Sequence, residues 1–304
     1  MNITLQEGQK EAEIGWKRWD LTLLGKAIDD RGRAVLRSVQ TRTDMMIEVA
    51  YDPFRLEVTI GNEQIAADQM TDSLAYTRGK SVLLEATTLG FAEIVLICKA
   101  LRENKHESFD ILYLEPSGYQ RQLRHPLLKR RDFELSSEVP GYRAIPGSAV
   151  LLGDRKRVRS IFFLGYEEAR LRTAFEELQM LSPANAMVAF GVPAFRAGWE
   201  MDAMANNISV IREKNVRGGV HFCGAENPLA VFELLCEVHR GLEQGERLVL
   251  APIGTKPHGI GVALFAATHS DVGILYDHPL RAPGRSTDLG HWHLFSVEDF
   301  RGKQ

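Results

Sequence analysis

The 304-residue sequence has few cysteines, no long hydrophobic run and no excess of positive charge. Its three cysteines (Cys98, Cys223 and Cys236) form no C-x-x-C pair, which excludes a disulfide scaffold and favours buried thiols in a reducing cytoplasm. The longest apolar runs are far too short to cross a bilayer about 30 Å thick, and the first ten residues lack the apolar stretch of a signal peptide. The formal charge of −3 gives no general signal for nucleic acid. We therefore expect a cytoplasmic protein that does not bind a membrane, and the sequence carries no strong signal for nucleic-acid binding.

Several motifs that carry chemistry are also missing. The sequence contains no G-x-G-x-x-G after a strand, no Walker phosphate loop, no G-x-S-x-G elbow and no H-E-x-x-H pair. These absences argue against a dinucleotide-dependent oxidoreductase, a P-loop nucleotidase, an α/β-hydrolase and a zinc peptidase. We expect no bound cofactor.

The N-terminal quarter has the pattern of a small β module. Residues 43–51 and 54–60 alternate apolar and polar side chains on either side of Asp52-Pro53. Such alternation around a turn predicts a β-hairpin with one face in water. Residues 1–78 are therefore predicted to form a separate module.

From residue 79 onward, short apolar runs alternate with helical periods. The predicted strands are residues 81–86, 109–114, 160–164, 186–190, 219–223, 247–251 and 272–276. Near-continuous apolar strands separated by amphipathic helices are typical of a mostly parallel sheet with helices on both faces. We predict one Rossmann-like α/β domain over residues 79–304, with all the turns that follow its strands at one carboxyl edge.

Residues 120–159 fit this rhythm least. They contain two basic runs, residues 129–131 and 155–159, with prolines and glycines between them. We interpret the stretch as a long excursion from the sheet or a connector between two halves. The basic runs are either solvated loop faces or a patch for an anion or a partner.

The most informative turn joins the predicted strand at 247–251 to a helix. Gly254 allows close backbone approach, and Pro257 suits the first position of a helix. The free N–H groups of such a helix start attract an anion, to which Thr255 can add a hydroxyl and Lys256 a charge. The alternative for Lys256 is a solvated lysine near a helix start.

Residues 248–266, which include this turn, resemble the Gly-Gly-Thr-Lys-Pro-type segment of the CRISPR-associated Rossmann-fold (CARF) sensor domains. That resemblance implies binding of cyclic oligoadenylates, generally across a homodimer interface, and a signalling role in antiviral defence. It implies ligand contacts by Gly254, Thr255 and Lys256. The sequence departs from the pattern at Ile253, which stands in place of the first glycine, and in the long segment that precedes residue 79.

Other turns supply further ligand candidates, each with a structural alternative. Hydroxyl, aromatic, cationic and amide groups follow the predicted strands and suit phosphate, sugar or base. The same groups often cap helices or fill a core. The candidates from these turns are Thr87, Thr88, Gly165, Tyr166, Arg196 and Asn227.

The C-terminal part keeps an enzyme alternative open. Asp277 and His278 follow a predicted strand and are weak catalytic candidates. His291 and His293 are two residues apart, so a strand would place both rings on one face, where a divalent metal could bind. The spacing matches no known zinc signature, and we expect no metal.

Together these patterns predict a sensor or regulatory subunit that binds a nucleotide or another phosphorylated signalling ligand. Such a subunit would act as a homo-oligomer or through a partner protein. A phosphoester hydrolase that uses the C-terminal Asp and His residues, and a scaffold subunit of a larger complex, remain the alternatives.

Overall fold

A computed structural model describes residues 1–119, 133, 135–149, 158–282 and 284–300. The chain divides into two compact units. Unit 1 comprises Met1–Tyr119 and Pro283–Gln304, and unit 2 comprises Gln120–Ala282. Unit 2 is thus inserted into the sequence of unit 1. None of the helices within the described ranges is long and apolar enough to cross a membrane.

Unit 1 is built on an eight-stranded mixed sheet. Its strands are β1 (Asn2–Gly8), β2 (Trp19–Leu24), β3 (Thr43–Asp52), β4 (Glu57–Ile60), β5 (Glu63–Ala66), β6 (Val82–Glu85), β7 (Phe109–Tyr119) and β16 (Ser286–Glu298). They lie in the order β1-β16-β7-β6-β2-β3-β4-β5. The four central strands, β7, β6, β2 and β3, are parallel, and the outer pairings are antiparallel. The helices are α1 (Asp30–Gln40), α2 (Met70–Ser73) and α3 (Phe91–Glu103).

Unit 2 contains a six-stranded sheet, most of it parallel. The strands of unit 2, including two that lie outside this sheet, are β8 (Ser136–Glu138), β9 (Arg143–Ala144), β10 (Val158–Leu164), β11 (Ala186–Gly191), β12 (Gly219–Cys223), β13 (Arg247–Pro252), β14 (Gly273–Tyr276) and β15 (Leu280–Arg281). The sheet order is β12-β11-β10-β13-β14-β9, with β9 antiparallel, while β15 and β8 form a separate pair. The helices are α4 (Glu168–Glu177), α5 (Trp199–Glu213), α6 (Pro228–Arg240) and α7 (Lys256–Thr268).

Helices cover both faces of the unit 2 sheet because its strands are apolar on both sides. Phe162 of β10 packs in one core with Leu171 of α4 and Val210 of α5. The next residue, Phe163, points to the opposite face and contacts the His258 ring of α7 at 5.5 Å between centroids. Two-sided burial explains why these strands are continuous apolar runs.

The predicted α/β class is therefore confirmed, but the prediction of one sheet over residues 79–304 is wrong. Strands β6 and β7 belong to the unit 1 sheet, and β10 to β14 belong to another. The structural division also differs from the predicted boundary at residue 78. That boundary lies inside unit 1, because β2 pairs in parallel with both β3 and β6.

The predicted hairpin at the N-terminal quarter is present. Strands β3 and β4 pair antiparallel, with Asp52 opposite Glu57. The Asp52 carboxylate accepts hydrogen bonds from the backbone N–H groups of Phe54 (2.8 Å) and Arg55 (3.1 Å), which fixes the turn.

Strand β7 is longer than predicted. It runs through Pro116 to Tyr119, where a turn was expected after residue 114. Strand β6 ends before this point, so beyond Leu114 β7 pairs only with β16. Pro116 therefore lies where β7 has a partner strand on one side only, a position that tolerates a residue without a backbone N–H.

Most of the predicted excursion over residues 120–159 lies outside the described residues, including all of the basic run 129–131 and residues 155–157 of the second run. The described part contributes the short strands β8 and β9 to unit 2, and Val158 and Arg159 begin β10.

Gly261 sets the distance between α6 and α7 and gives a testable prediction. A Cβ at this position would lie 2.6 Å from the Pro228 carbonyl oxygen and 2.7 Å from the Val231 Cβ. Helix propensity alone favours alanine by about 1 kcal/mol, but the overlap costs about 1–3 kcal/mol. We expect Gly261→Ala to lower the free energy of unfolding by about 1 kcal/mol, the typical difference between these two effects, in urea titrations.

The control is Gly241→Ala, just after α6. The nearest atoms to a Cβ there are 3.5 Å away, and the φ angle of −83° suits any residue. This variant should stay within about 0.5 kcal/mol of the unmodified chain. Equal stability of the Gly261→Ala variant would contradict the close helix contact.

Candidate functional site

The carboxyl edge of the unit 2 sheet collects most of the predicted ligand residues. Gly165 and Tyr166 follow β10, Arg196 follows β11, Asn227 follows β12, and Gly254 begins the turn after β13. The chain continues from β10 to β11 on one side and places β13 on the other. In open parallel sheets, ligands bind where the strand order reverses in this way.

The turns that follow β10 and β13 touch each other. A Cβ at Gly165 would lie 3.0 Å from the Ile253 carbonyl oxygen, and one at Gly254 would lie 2.9 Å from the Leu164 carbonyl oxygen. Only glycine allows two backbones to approach this closely. The two predicted glycines therefore allow the two turns to meet at the centre of the edge.

Helix α7 begins directly after this contact. The Thr255 hydroxyl accepts a hydrogen bond from the His258 N–H at 3.3 Å and donates one to the Ala225 carbonyl at 2.8 Å. It thus caps α7 and joins the turn after β13 to the turn after β12. Lys256, half-buried, is the first residue of the helix.

The N-terminus of α7 differs from those of α4 and α5 in charge. Its first turn contains no acidic residue, whereas α4 starts with Glu168 and α5 carries Glu200 and Asp202. A helix start has a partial positive charge that acidic side chains offset. At α7 no side chain of the first turn offsets it, and Lys256 adds to it.

Tyr166 and Arg196 converge on the buried ring of Trp199. The Tyr166 and Trp199 ring centroids are 6.3 Å apart at nearly a right angle, and the Arg196 guanidinium lies 5.8 Å above the Trp199 ring. Phe133 packs on the other side of Tyr166, with centroids 4.4 Å apart. Tyr166 is half-buried and Arg196 is exposed. The edge therefore has an aromatic and cationic group beside the glycine contact.

Two adjacent asparagines of α5 fix the backbone of the turn after β10. The Asn206 amide donates to the Tyr166 carbonyl at 3.0 Å, and the Asn207 amide donates to the Gly165 carbonyl at 2.8 Å. Both side chains are buried. They satisfy carbonyl groups that would otherwise be buried without partners, so the turn is held in one conformation.

The structural alternative accounts for Asn227. Its side chain accepts from the Ala230 N–H at 3.0 Å and caps α6, and Pro228 occupies the first helical position. The nearby Glu167 is likewise used within the protein, since its carboxylate accepts from Leu135 and from the backbone and hydroxyl of Ser136.

The weak catalytic candidate Asp277 is committed to a buried ion pair. Both of its carboxylate oxygens accept from Arg170, at 2.6 and 2.5 Å, and Arg170 also donates to the Ile253 carbonyl at 3.0 Å. Burial opposes the charge on Arg170, but the adjacent carboxylate outweighs it and raises the arginine pKa. The pair fastens the ends of β13 and β14 to α4. His278 is buried and has a φ of +48°.

Thr87 and Thr88 belong to unit 1, not to the unit 2 edge. The Thr87 hydroxyl accepts from the Leu114 N–H at 3.0 Å, and the Thr88 hydroxyl accepts from the Gly25 N–H at 2.8 Å and donates to Glu85. The prediction that they share a sheet edge with Lys256 is therefore wrong. The reason is that β6 and β13 lie in different sheets, which their similar apolar sequences do not distinguish.

The residues of the hydrolase alternative are also divided. Asp277 and His278 lie in unit 2, whereas His291 and His293 lie on β16 in unit 1. The two histidine rings are 6.4 Å apart, and Nε2 of His293 lies 3.2 Å from a Glu115 carboxylate oxygen. Within the described ranges, no group of three or more His, Cys, Asp or Glu side chains is placed to hold a metal ion.

His258 is a feature of the site that the sequence pattern did not reveal. Its ring is fully buried near Phe163 and Gly191, with Nε2 3.1 Å from the Gly224 carbonyl. This contact requires a proton on Nε2, so Nδ1 of the neutral ring is a buried acceptor. Nδ1 has no hydrogen-bond partner among the described residues. Burial lowers the His258 pKa to about 4.

No known family model matches this chain, and no curated protein matches its sequence.

The Arg170–Asp277 pair gives a stability prediction. Asp277→Asn leaves the buried guanidinium without a counter-charge, which costs about 3–5 kcal/mol. We expect a loss of this size in chemical unfolding of the full chain. In the control, Glu213→Gln removes the partner of the partly exposed Arg172 (2.7 Å), which should cost at most about 1 kcal/mol. Similar small losses for both variants would contradict the structural role of Asp277.

The depressed pKa of His258 predicts a pH dependence of stability. Below its ordinary pKa of 6.5 the unfolded chain takes up a proton that the folded chain binds only near pH 4. This contribution is complete above pH 6.5 and is lost as the pH falls toward 4. It should lower the free energy of unfolding by about 2 kcal/mol between pH 7 and pH 5.

Urea titrations at the two pH values test this prediction. The loss between pH 7 and pH 5 should be smaller by that amount in His258→Gln, whatever the stability of the variant itself. His221→Gln, on β12, should keep the full loss. An unchanged loss in His258→Gln would show that His258 does not titrate as its burial requires.

Proposed function

We propose that unit 2 binds a nucleotide or another phosphorylated signalling ligand at the carboxyl edge of its sheet, as a sensor or regulatory subunit. The observation that carries the proposal is the contact between Gly165 and Gly254 at the strand-order reversal, directly in front of the start of α7. A phosphate placed there would meet a helix N-terminus and the charge of Lys256.

The strand order β12-β11-β10-β13-β14 supports a Rossmann-like interpretation of unit 2. The Gly-Thr-Lys-Pro turn lies at the edge where such folds bind ligands. This location supports the proposed likeness to CARF sensor domains. The residues that carry this likeness are 248–266.

The aromatic and cationic group favours a ligand with a base as well as a phosphate. Tyr166 is half-buried beside Trp199, and the exposed Arg196 lies over the Trp199 ring. In the proposal, Arg196 neutralises a second phosphate while Tyr166 contacts the base or sugar. Thr255 and Asn227 would support the turns, since both cap helices.

The hydrolase alternative has less support than the binding role. Both oxygens of Asp277 are engaged by Arg170, so this carboxylate is poorly placed to act as a base or metal ligand. A turnover assay still distinguishes the two functions, because product formation that is lost in His278→Ala would favour the enzyme. The scaffold alternative predicts no response to any nucleotide.

A binding experiment tests the proposal. The full chain is titrated calorimetrically with AMP, ATP and cyclic oligoadenylates, and each compound that binds is titrated into Lys256→Ala. We expect at least about tenfold weaker binding by the variant, which corresponds to about 1.4 kcal/mol. Lys214→Ala is the control, because Lys214 follows the far end of α5, where it pairs with Glu176 at 3.1 Å.

Loss of binding in Lys256→Ala with retention in Lys214→Ala supports the proposal. Equal affinity in Lys256→Ala and the unmodified chain would refute the assigned role of the α7 N-terminus. Arg196→Ala should weaken ATP more than AMP, because only the longer phosphate chain reaches a second cation.

A further inference from the structure

Strand β12 is an outer strand of the unit 2 sheet and is unusually apolar on its exposed side. Val220 is 53% exposed and Phe222 is 57% exposed. Within the described residues, β12 pairs with β11 on one side and with no strand on the other. Natural proteins usually protect such edges with charges, prolines or bulges. The sequence Gly-Val-His-Phe-Cys of β12 contains no proline, lysine, arginine or acidic residue.

Among the described residues, the backbone groups of β12 that no strand pairs lie at the same two residues. The Cys223 carbonyl accepts from the Val192 N–H at 2.8 Å, so the backbone of Cys223 faces β11. Backbone direction alternates along a strand, so Val220 and Phe222 direct their N–H and C=O groups to the outer side. Both the hydrogen-bonding groups and the apolar side chains of these residues are therefore available to another strand.

Helix α5 covers the face of the sheet from which these exposed side chains project. Val220 pairs with Val188, and Phe222 pairs with Phe190. Val188 and Phe190 belong to the core that α5 covers, so Val220 and Phe222 lie on the α5 side of the sheet.

Met201 and Ile208 of α5, two turns apart on one face, are 63% and 48% exposed. We call these four side chains (Val220, Phe222, Met201 and Ile208) the edge patch. Single exposed apolar residues are ordinary, but a group of them beside an open strand marks an interaction surface.

The edge patch is self-complementary under a two-fold rotation. Antiparallel pairing of two β12 strands about His221 would place Val220 of each copy opposite Phe222 of the other. In an antiparallel pair, two residues whose backbones face each other exchange both hydrogen bonds. This register satisfies the outer groups of Val220 and Phe222 in both copies and brings their side chains together on one face.

The charge distribution of α5 also suits a second copy. Its first turn is acidic, with Glu200 and Asp202, whereas Arg212 and Lys214 lie at its end, where Glu213 is paired with Arg172. A two-fold axis next to β12 makes the two α5 helices antiparallel, so the acidic end of one faces the basic end of the other. Such complementarity favours this orientation over a parallel one.

We propose that two copies of this chain associate through antiparallel pairing of their β12 strands, with the edge patch as the apolar part of the interface. The two sheets then form one continuous sheet across the two-fold axis. This surface is distinct from the ligand edge and does not depend on the proposed function.

Sedimentation equilibrium of the full chain over a range of concentrations tests the proposal. We expect a species of twice 34.1 kDa. Val220→Lys should raise the dimer dissociation constant at least about tenfold, because it places charge at the centre of the apolar contact. Since Val220 is exposed, the variant should keep its thermal stability. The control is Phe54→Lys, which changes a similarly exposed apolar residue (62%) in unit 1 and should leave the dimer intact.

A second variant tests the register. Adding Phe222→Glu to Val220→Lys places opposite charges across the two-fold axis, which should recover part of the lost affinity. A chain of 34.1 kDa at every concentration, or a dimer that Val220→Lys does not weaken, overturns the proposal. Because Lys256→Ala is expected to remain dimeric, loss of ligand binding and loss of the dimer are separate outcomes.

Discussion

The parallel pairing of β10 with β13 is the constraint on which unit 2 depends. It brings two turns together so closely that Gly165 and Gly254 leave no space for a side chain. The cap of α7, the carbonyls held by Asn206 and Asn207, and the Arg170–Asp277 pair all fix the backbone around this contact. Because the backbone of this edge is already fixed, a ligand that bound there would cause little further loss of conformational entropy.

Polar groups at the end of a strand serve structure as often as function. The hydroxyls of Thr87 and Thr88 bind backbone N–H groups, Asn227 caps α6, and Glu167 binds Ser136. Each of these groups satisfies a backbone donor that burial would otherwise leave unpaired. Lys256 and Arg196 differ from them in charge, since Lys256 is a cation at the start of α7 and the guanidinium of Arg196 lies over the buried Trp199 ring.

The sequence patterns predicted individual elements better than their arrangement. Strands such as β10 and β13 are apolar enough to be recognised alone, and the Asp52 turn carries its own signal. Sheet membership depends on which strands meet in space, and local patterns contain no information on this. For example, β2 pairs with β6 although the paired residues Leu21 and Val82 are about 60 positions apart in the sequence. His258 gives no signal in the sequence pattern, because its contacts depend on burial and not on spacing.

The insertion of unit 2 between β7 and β16 has a consequence for biosynthesis. Strand β16 lies between β1 and β7 in the unit 1 sheet. Strand β1 therefore has no partner strand in this sheet until residues 286–298 have been synthesised. During translation, residues 120–282 of unit 2 are synthesised before β16 of unit 1, which comprises Ser286–Glu298. The β1–β16 pairing therefore joins residues almost 300 positions apart, as in Asn2 opposite Glu298, and such non-local pairing slows folding because a long loop must close first.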